Sequence, residues 1–180
     1  MYAERDEKRR QHFITEISHY SLERLVYVDE SGIDKFMSRE YGWGLKGEKV
    51  IGEISGRRYA RESFVAGLNS NKIVAPFCYT GTCNTTLFNF WLENFLLPTI
   101  GPGYVLIMDN ATFHKSEETK SLINNAGCEL IFLPPYSPDF NPIEKCWANL
   151  KNRIKKVIAQ FSSLSDAIDY VFKTDHLKIK

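Results

Sequence analysis

The sequence lacks any apolar run long enough to cross a bilayer. Its longest candidate, Tyr104 to Met108, is strand-sized, against the ~20 residues a spanning helix needs. The first twenty-odd residues are charged and contain no apolar h-region, so no signal peptide is expected. Cysteine is sparse and unevenly spaced. Cys78, Cys83, Cys128 and Cys146 form no C-x-x-C pair and have no neighbouring histidine pair, which argues against a zinc site and a disulfide framework and for buried, reduced thiols. With 11 glycines and 7 prolines, and neither an internal repeat nor a linker-like tract, the chain is not low-complexity or collagen-like. These absences together lead to the expectation of a cytosolic protein with no membrane partner.

What is present is the composition of an ordinary domain with a sizeable core: 180 residues, 43% hydrophobic, 25% charged and 13% aromatic. The net charge of +1 conceals segregation. Residues 35–72 carry eight Lys/Arg against four acids, and residues 145–180 carry eight against three, whereas residues 109–144 carry two basic residues and six acidic ones. An acidic stretch between two basic ones suits a cation-dependent enzyme acting on a polyanion, because carboxylates hold cations while Lys and Arg hold phosphates. Solvated surface charge is the plainer explanation, and segregation alone favours it.

Hydrophobic spacing predicts a charged helix over residues 4–24, with Phe13, Ile17 and Tyr20 on one face. Leu25 to Val28 reads as a buried strand running into a turn at Asp29, Glu30, Ser31 and Gly32. Trp43–Leu45, Val50–Ile54 and, after Arg57 to Leu68, Ile73–Tyr79 suggest a hairpin or meander. Thr85–Leu97 reads as an amphipathic helix stopped by Pro98. A buried strand at Tyr104–Met108, a polar helix at Ser116–Ala126 and a strand at Glu129–Leu133 follow. A proline-rich turn then leads to a long helix starting near Pro142, with Ile143, Trp147, Leu150, Ile154 and Val157 as its apolar stripe, and a last helix covers Leu164–Phe172. Strands alternating with helices predict an α/β domain with a mixed sheet.

Two of the buried strands run directly into an aspartate, Asp29 and Asp109. If the strands are parallel neighbours, both carboxylates emerge at the carboxyl edge of the sheet, where open α/β sheets bind ligands. Carboxylates so placed repel unless one is protonated or a cation lies between them, and Mg²⁺ prefers such oxygen ligands. Glu144 is a third acid, at the start of the long helix. Asn141, Pro142 and Glu144 also form a capping-box pattern, so helix capping explains Glu144 as well as catalysis does. Turn chemistry explains either aspartate taken singly, and Glu30 and Asp34 compete with Asp29 as the first acid.

Three blocks carry a family resemblance: Tyr27-Val-Asp29-Glu-Ser-Gly; Ile107-Met-Asp109-Asn110-Ala-Thr-Phe-His114; and Leu133-Pro-Pro-Tyr-Ser-Pro-Asp-Phe-Asn-Pro-Ile-Glu144-Lys-Cys-Trp147. They resemble the catalytic blocks of DDE transposases, in the bacterial insertion-sequence branch related to mariner elements, with 34 residues between Asp109 and Glu144 as is typical of that branch. The resemblance covers roughly residues 25 to 160. It implies a ribonuclease H-like fold, a mixed five-stranded sheet with helices on both faces, with residues 1–24 as a helical lead-in and 25–180 as the catalytic domain. It implies that Asp29, Asp109 and Glu144 hold two Mg²⁺ ions, for which Mn²⁺ substitutes, and that the chain cleaves DNA at transposon ends and joins the freed 3′-hydroxyl to target DNA. Such chemistry is in-line displacement at phosphorus, with cations roughly 3.5 to 4 Å apart stabilising the attacking and leaving oxygens.

Asn110 and His114 match family positions and are candidate DNA contacts, although a lone histidine after a strand is more often a loop hydrogen-bonder. Asn141 reads better as a helix cap. Lys151 and Lys155 lie on the Glu144 side of the long helix, and together with Arg57, Arg58 and Arg61 they are candidate phosphate contacts, with solvated or salt-bridged surface residues as the alternative. Relatives carry an upstream helix-turn-helix that reads transposon ends, and residues 1–24 are too short for one. The expected partners are therefore DNA, a helix-turn-helix segment or companion polypeptide, and, left open, a second copy of the chain. The expected location is the bacterial cytoplasm, on the nucleoid. Two alternatives stand beside the transposase: a catalytically retired remnant that only binds DNA or a sister transposase, and a ribonuclease H-like nuclease without transposition.

Overall fold

The structure, a computed structural model, describes residues 6–34 and 61–174. The stretches Trp43–Leu45 and Val50–Ile54, as well as Arg57 and Arg58, lie outside the described residues.

Five strands form one sheet in the order β3-β2-β1-β4-β5. The strands β1 (Leu25–Asp34), β2 (Arg61–Asn69) and β3 (Lys72–Thr80) are antiparallel, whereas β4 (Val105–Met108) and β5 (Glu129–Phe132) run parallel to β1. The sheet is mixed, as expected. The β2–β3 connection turns through Ser70 and Asn71, both with positive φ (46° and 64°), a backbone that suits a two-residue hairpin.

One expectation about β1 fails in an informative way. The strand does not turn at Asp29 but continues to Asp34, because its antiparallel ladder with β2 runs from Val26↔Asn69 to Asp34↔Arg61. Its parallel ladder with β4 covers only Leu25↔Val105 to Tyr27↔Ile107. Asp29 therefore sits in mid-strand and yet just past the parallel pairing, level with the end of β4, where Asp109 follows Met108.

Helices cover both faces of the sheet. On one face Phe64, Ala66 and Leu68 of β2 pack on α5 (Ile143–Val157) and α6 (Leu164–Thr174), through Trp147, Leu150, Ile154, Leu164 and Ile168. On the other, Val26, Val28, Val65 and Leu106 pack on α2 (Thr85–Trp91) and α4 (Glu117–Asn125), through Phe88, Trp91 and Ile123. The predicted stop at Pro98 is displaced. The chain passes from α2 through a wider turn at Leu92–Leu96, where the Leu97 N–H donates to the Leu92 carbonyl, into α3 (Leu97–Ile100), and ends at Gly101 with φ +74°. A π-type turn admits a proline that an unbroken α-helical ladder would reject.

The N-terminal helix α1 spans Glu7–Ile17, shorter than the predicted 4–24, so Tyr20 falls beyond it. It is docked on the sheet by Phe13, which packs with Leu25, Val105 and Ile107. Arg10 is 5% exposed and donates to both Asp139 carboxylate oxygens, at 3.0 and 2.7 Å, with its guanidinium 3.9 Å above the Phe140 ring. All four cysteines are free, as expected, but only Cys128 and Cys146 are buried; Cys78 and Cys83 are half-buried.

Candidate active site

The three candidate acids arrive from separate elements: Asp29 from β1, Asp109 from the end of β4, and Glu144 from the first turn of α5. All border one cleft of about 430 Å³, with Asn110, Asn141 and the Leu133–Pro138 loop forming the rest of its wall. The other candidates for first acid are elsewhere. Glu30 leaves the opposite face of the strand and bonds to His114, and Asp34 lies at the far end of β1, opposite Arg61 in the β1–β2 register.

The surroundings of each acid differ. Burial pushes the Asp29 pKa up from 3.8 to about 7, with the negative charges of Glu30, Glu144 and Asp109 adding to the effect. Asp29 Oδ2 accepts a hydrogen bond from Trp147 Nε1 at 3.1 Å. Asp109 behaves oppositely. Its Oδ1 accepts from His114 Nδ1 at 2.7 Å and from the Ala111 backbone N–H at 2.9 Å, and these bonds outweigh burial and hold its pKa below the usual carboxylate range. Two carboxyl groups at the same level of neighbouring strands thus have their acidities pushed apart.

His114 was expected as a loop hydrogen-bonder or DNA contact; it is fully buried. Burial opposes its charge, but hydrogen bonds to Asp109 and, through Nε2 at 3.0 Å, to Glu30 outweigh that and raise its pKa to about 9. Two carboxylates facing the two ring nitrogens make the ring an imidazolium at neutral pH. With no exposed surface, it cannot touch DNA directly. Asn110, a candidate DNA contact in the sequence, lines the cleft, and its amide N–H₂ donates to the Leu133 carbonyl and so braces the cleft wall.

The capping-box expectation fails. Asn141 makes no side-chain cap; α5 opens at Pro142, and the Asn141 carbonyl, not its amide, accepts the Glu144 N–H. The Asn141 backbone N–H is already given to Pro138, so Glu144 has no capping role to play there. Instead Asn141 is buried on the cleft wall with its Oδ1 lacking any partner among the described residues. Sequence reading missed this, along with the roles of Glu30 and Trp147. Trp147 was detectable in principle, because it falls one turn after Glu144 on the same helix.

Of the basic candidates, Lys151 is half-buried and feels the charges of Glu144 and Asp29. Burial lowers its pKa, as does the neighbouring charge of Arg61, while Glu144 and Asp29 act in the other direction. Arg61 borders an adjacent cleft with Glu30, Ser31 and Ser63 rather than the acid-lined one, and Lys155 is exposed one turn beyond Lys151. Among the described residues, no three Asp, Glu, His or Cys side chains stand close enough to enclose a metal ion. The acids border the cleft rather than closing on one point.

Comparison with solved structures shows a ribonuclease H-like fold. A Mos1 transposase paired-end complex with left transposon end superposes with a TM-score of 0.75 over 98% of this chain and 57% of that one, at 17% identity. The catalytic core domain of BIV integrase matches with a TM-score of 0.51 over 82% of this chain and 79% of that one, at 13% identity. In sequence, the chain is 32% identical over 151 residues to the Tcb1 transposase of Caenorhabditis briggsae, covering 74% of this chain and 53% of that protein. It is 31% identical over 100 residues to the Tc1 transposase of Caenorhabditis elegans, covering 53% and 35%. The chain thus spans about half or less of the length of these relatives. Residues 24–167, which include β1, β4, α5 and every acid bordering the cleft, match the family described as DDE superfamily endonuclease, and the chain belongs to that family.

Proposed function

We propose that the chain is the catalytic part of a cut-and-paste transposase, with Asp29, Asp109 and Glu144 holding two divalent cations, Mg²⁺ with Mn²⁺ as substitute, against a DNA phosphodiester. The observation carrying this reading is that three acids 80 and 35 residues apart in the chain border one cleft, where burial, with the charges of Glu144 and Asp109 adding to it, raises the Asp29 pKa. The donor set fits hard cations. It is all oxygen, and within it Asp109 Oδ2 has no partner among the described residues while the Asn141 Oδ1 is buried and unsatisfied. Mos1 transposase structures with Mn and with Mg support divalent-cation use.

Bound there, the cations supply Lewis-acid stabilisation of the attacking and leaving oxygens. The protein's part is positional. Trp147 and His114 fix Asp29 and Asp109, the α5 backbone presents Glu144, and Lys151, with Arg61 and Lys155 beyond it, attracts the phosphate backbone. Transposon-end and target DNA are the substrates, and a helix-turn-helix segment or companion polypeptide supplies end recognition, with pairing of two copies suggested by the paired-end complex formed by the Mos1 protein. The long proline-rich third block favours a transposase over a nuclease without transposition, and the 34-residue spacing favours an insertion-sequence element of a bacterial host, acting on nucleoid DNA, whereas the relatives named above by sequence are nematode transposases.

Asp29→Asn, Asp109→Asn and Glu144→Gln should each abolish Mg²⁺- or Mn²⁺-dependent cleavage of transposon-end DNA. Glu144→Gln should do so with a melting temperature in chelator at least as high as that of the unaltered chain, since Glu144 caps nothing and its charge repels Asp29. Cleavage retained by Glu144→Gln would overturn its assignment. With a helix-turn-helix portion supplied, DNA binding without cleavage by the otherwise unaltered chain, with either cation, would support the retired remnant.

A further inference from the structure

His114 stands between two carboxylates on adjoining strands, Asp109 beyond β4 and Glu30 on β1. Its ring is completely buried, packed against Phe88 at 4.5 Å and Phe113 at 4.4 Å between centroids. Glu30 is itself mostly buried, its side chain 17% exposed, and sits on the face of β1 opposite Asp29. Asp109 Oδ1 is fully engaged by His114 and the Ala111 N–H, and its carboxyl plane is fixed by that pair of bonds.

We infer that Glu30 and His114 act as one positioning unit for Asp109: Glu30 orients the His114 ring, and the ring holds Asp109 so that its second oxygen is presented to a divalent cation. The inference rests on the reading that Asp109 binds such a cation. Outer-shell hydrogen bonds of this kind typically change metal affinity or activity 10–100-fold when removed. Glu30 would then matter for metal binding despite facing away from the acid-lined cleft.

Two routes could link Glu30 to a cation: through the His114 ring, or directly through its own charge. A double-mutant cycle separates them. Mn²⁺ is titrated calorimetrically into the unaltered 180-residue chain, His114→Gln, Glu30→Gln and the double variant, with thermal melts confirming that each is folded. The expected result is Mn²⁺ binding by the unaltered chain, a roughly tenfold or greater loss in each single variant, and no further loss in the double variant over His114→Gln alone. In ¹⁵N spectra of the His114 ring, Glu30→Gln should move chiefly the Nε2 signal and Asp109→Asn the Nδ1 signal. Unchanged affinity in Glu30→Gln, or additive losses in the double variant, would overturn the unit while leaving the cation site intact. No Mn²⁺ binding by the unaltered chain would instead bring down the cation site itself, and this inference with it.

Discussion

Trp147 donates its indole N–H to Asp29 Oδ2 across 118 positions of sequence, tying the first turns of α5 to the middle of β1. Glu144 precedes Trp147 by one helical turn, so the bond that fixes Asp29 also fixes the element carrying the third acid. The indole is itself held by Phe64 at 4.9 Å, within the core beneath the sheet. Changing Trp147 to Phe should retain most of the packing but remove the donor, leaving a mostly buried carboxyl oxygen unsatisfied, at a cost of about 1–3 kcal/mol. Denaturant unfolding measures that loss. Cleavage should fall by more than the loss of folded protein accounts for, because Asp29 is no longer held; a rate that merely follows stability would refute the link.

The paired acids make the stability of the chain pH-dependent. Asp29 has a folded pKa raised from 3.8 to about 7, so its folded form binds protons more tightly, and the stability this gives is lost as pH climbs through about 4 to 7. His114, raised from 6.5 to about 9, contributes stability that is present below 6.5 and is lost between there and 9. Asp109, held low, acts the other way, but only in acid below its usual value. Thermal melts in chelator should therefore show stability declining from about pH 5 to pH 9. Asp29→Asn should remove the lower part of that decline, and millimolar Mg²⁺ should reduce it by favouring the ionised carboxylate. A profile equally steep in Asp29→Asn would disprove the assignment.

The element types were legible because each has a local cause. β4 is apolar at every position since it is buried on both faces, and α4 and α6 announce themselves by serine caps, with Ser116 and Ser163 accepting the backbone N–H groups of Thr119 and Asp166. The grouping of the acids was legible too, though for an incomplete reason: Asp29 is at the edge that carries the cleft because parallel pairing stops at Tyr27, not because the strand stops there. What was illegible depends on long-range pairing. Nothing local tells that β2 extends β1 to Asp34, that a wide turn lets the helix run past Pro98, or that Glu30 lies 84 positions from its partner His114. The Asn141 pattern misled because its amide is drawn into the cleft wall, where a local motif predicts a cap.

Lys151 and Lys155 provide a test of the DNA path. Lys151 is half-buried between the like charge of Arg61 and the opposite charges of Glu144 and Asp29, which places its ammonium beside the acid-lined cleft. Lys151→Ala with Lys155→Ala should weaken binding to all duplexes alike and flatten the salt dependence by about 0.9 in log–log slope for each phosphate the chain no longer neutralises. Fluorescence anisotropy across a range of salt concentrations reads both quantities. An unchanged slope would return the lysines to ordinary solvated surface.

The last prediction concerns how the chain chooses its DNA. Each candidate DNA-facing group among the described residues, whether the acids of the cleft, Lys151, Lys155 or Arg61, addresses cations or phosphates, and these are the same at every nucleotide. Sequence is read in the grooves, by side chains that reach base edges from an inserted helix or strand. Here α5 has its apolar stripe buried against the sheet, and α2 and α4 pack on the opposite face, so no described helix is presented as a reading head. The 180-residue chain should accordingly bind DNA weakly, with strong salt sensitivity and little preference for transposon ends, and acquire end-specific cleavage only when a helix-turn-helix portion is supplied in cis or in trans. Competition at fixed salt between end-sequence DNA and a scrambled duplex of equal length decides it. A preference above about a hundredfold, or ~2.7 kcal/mol, approaches that of dedicated sequence readers and would show that recognition lies within this chain after all.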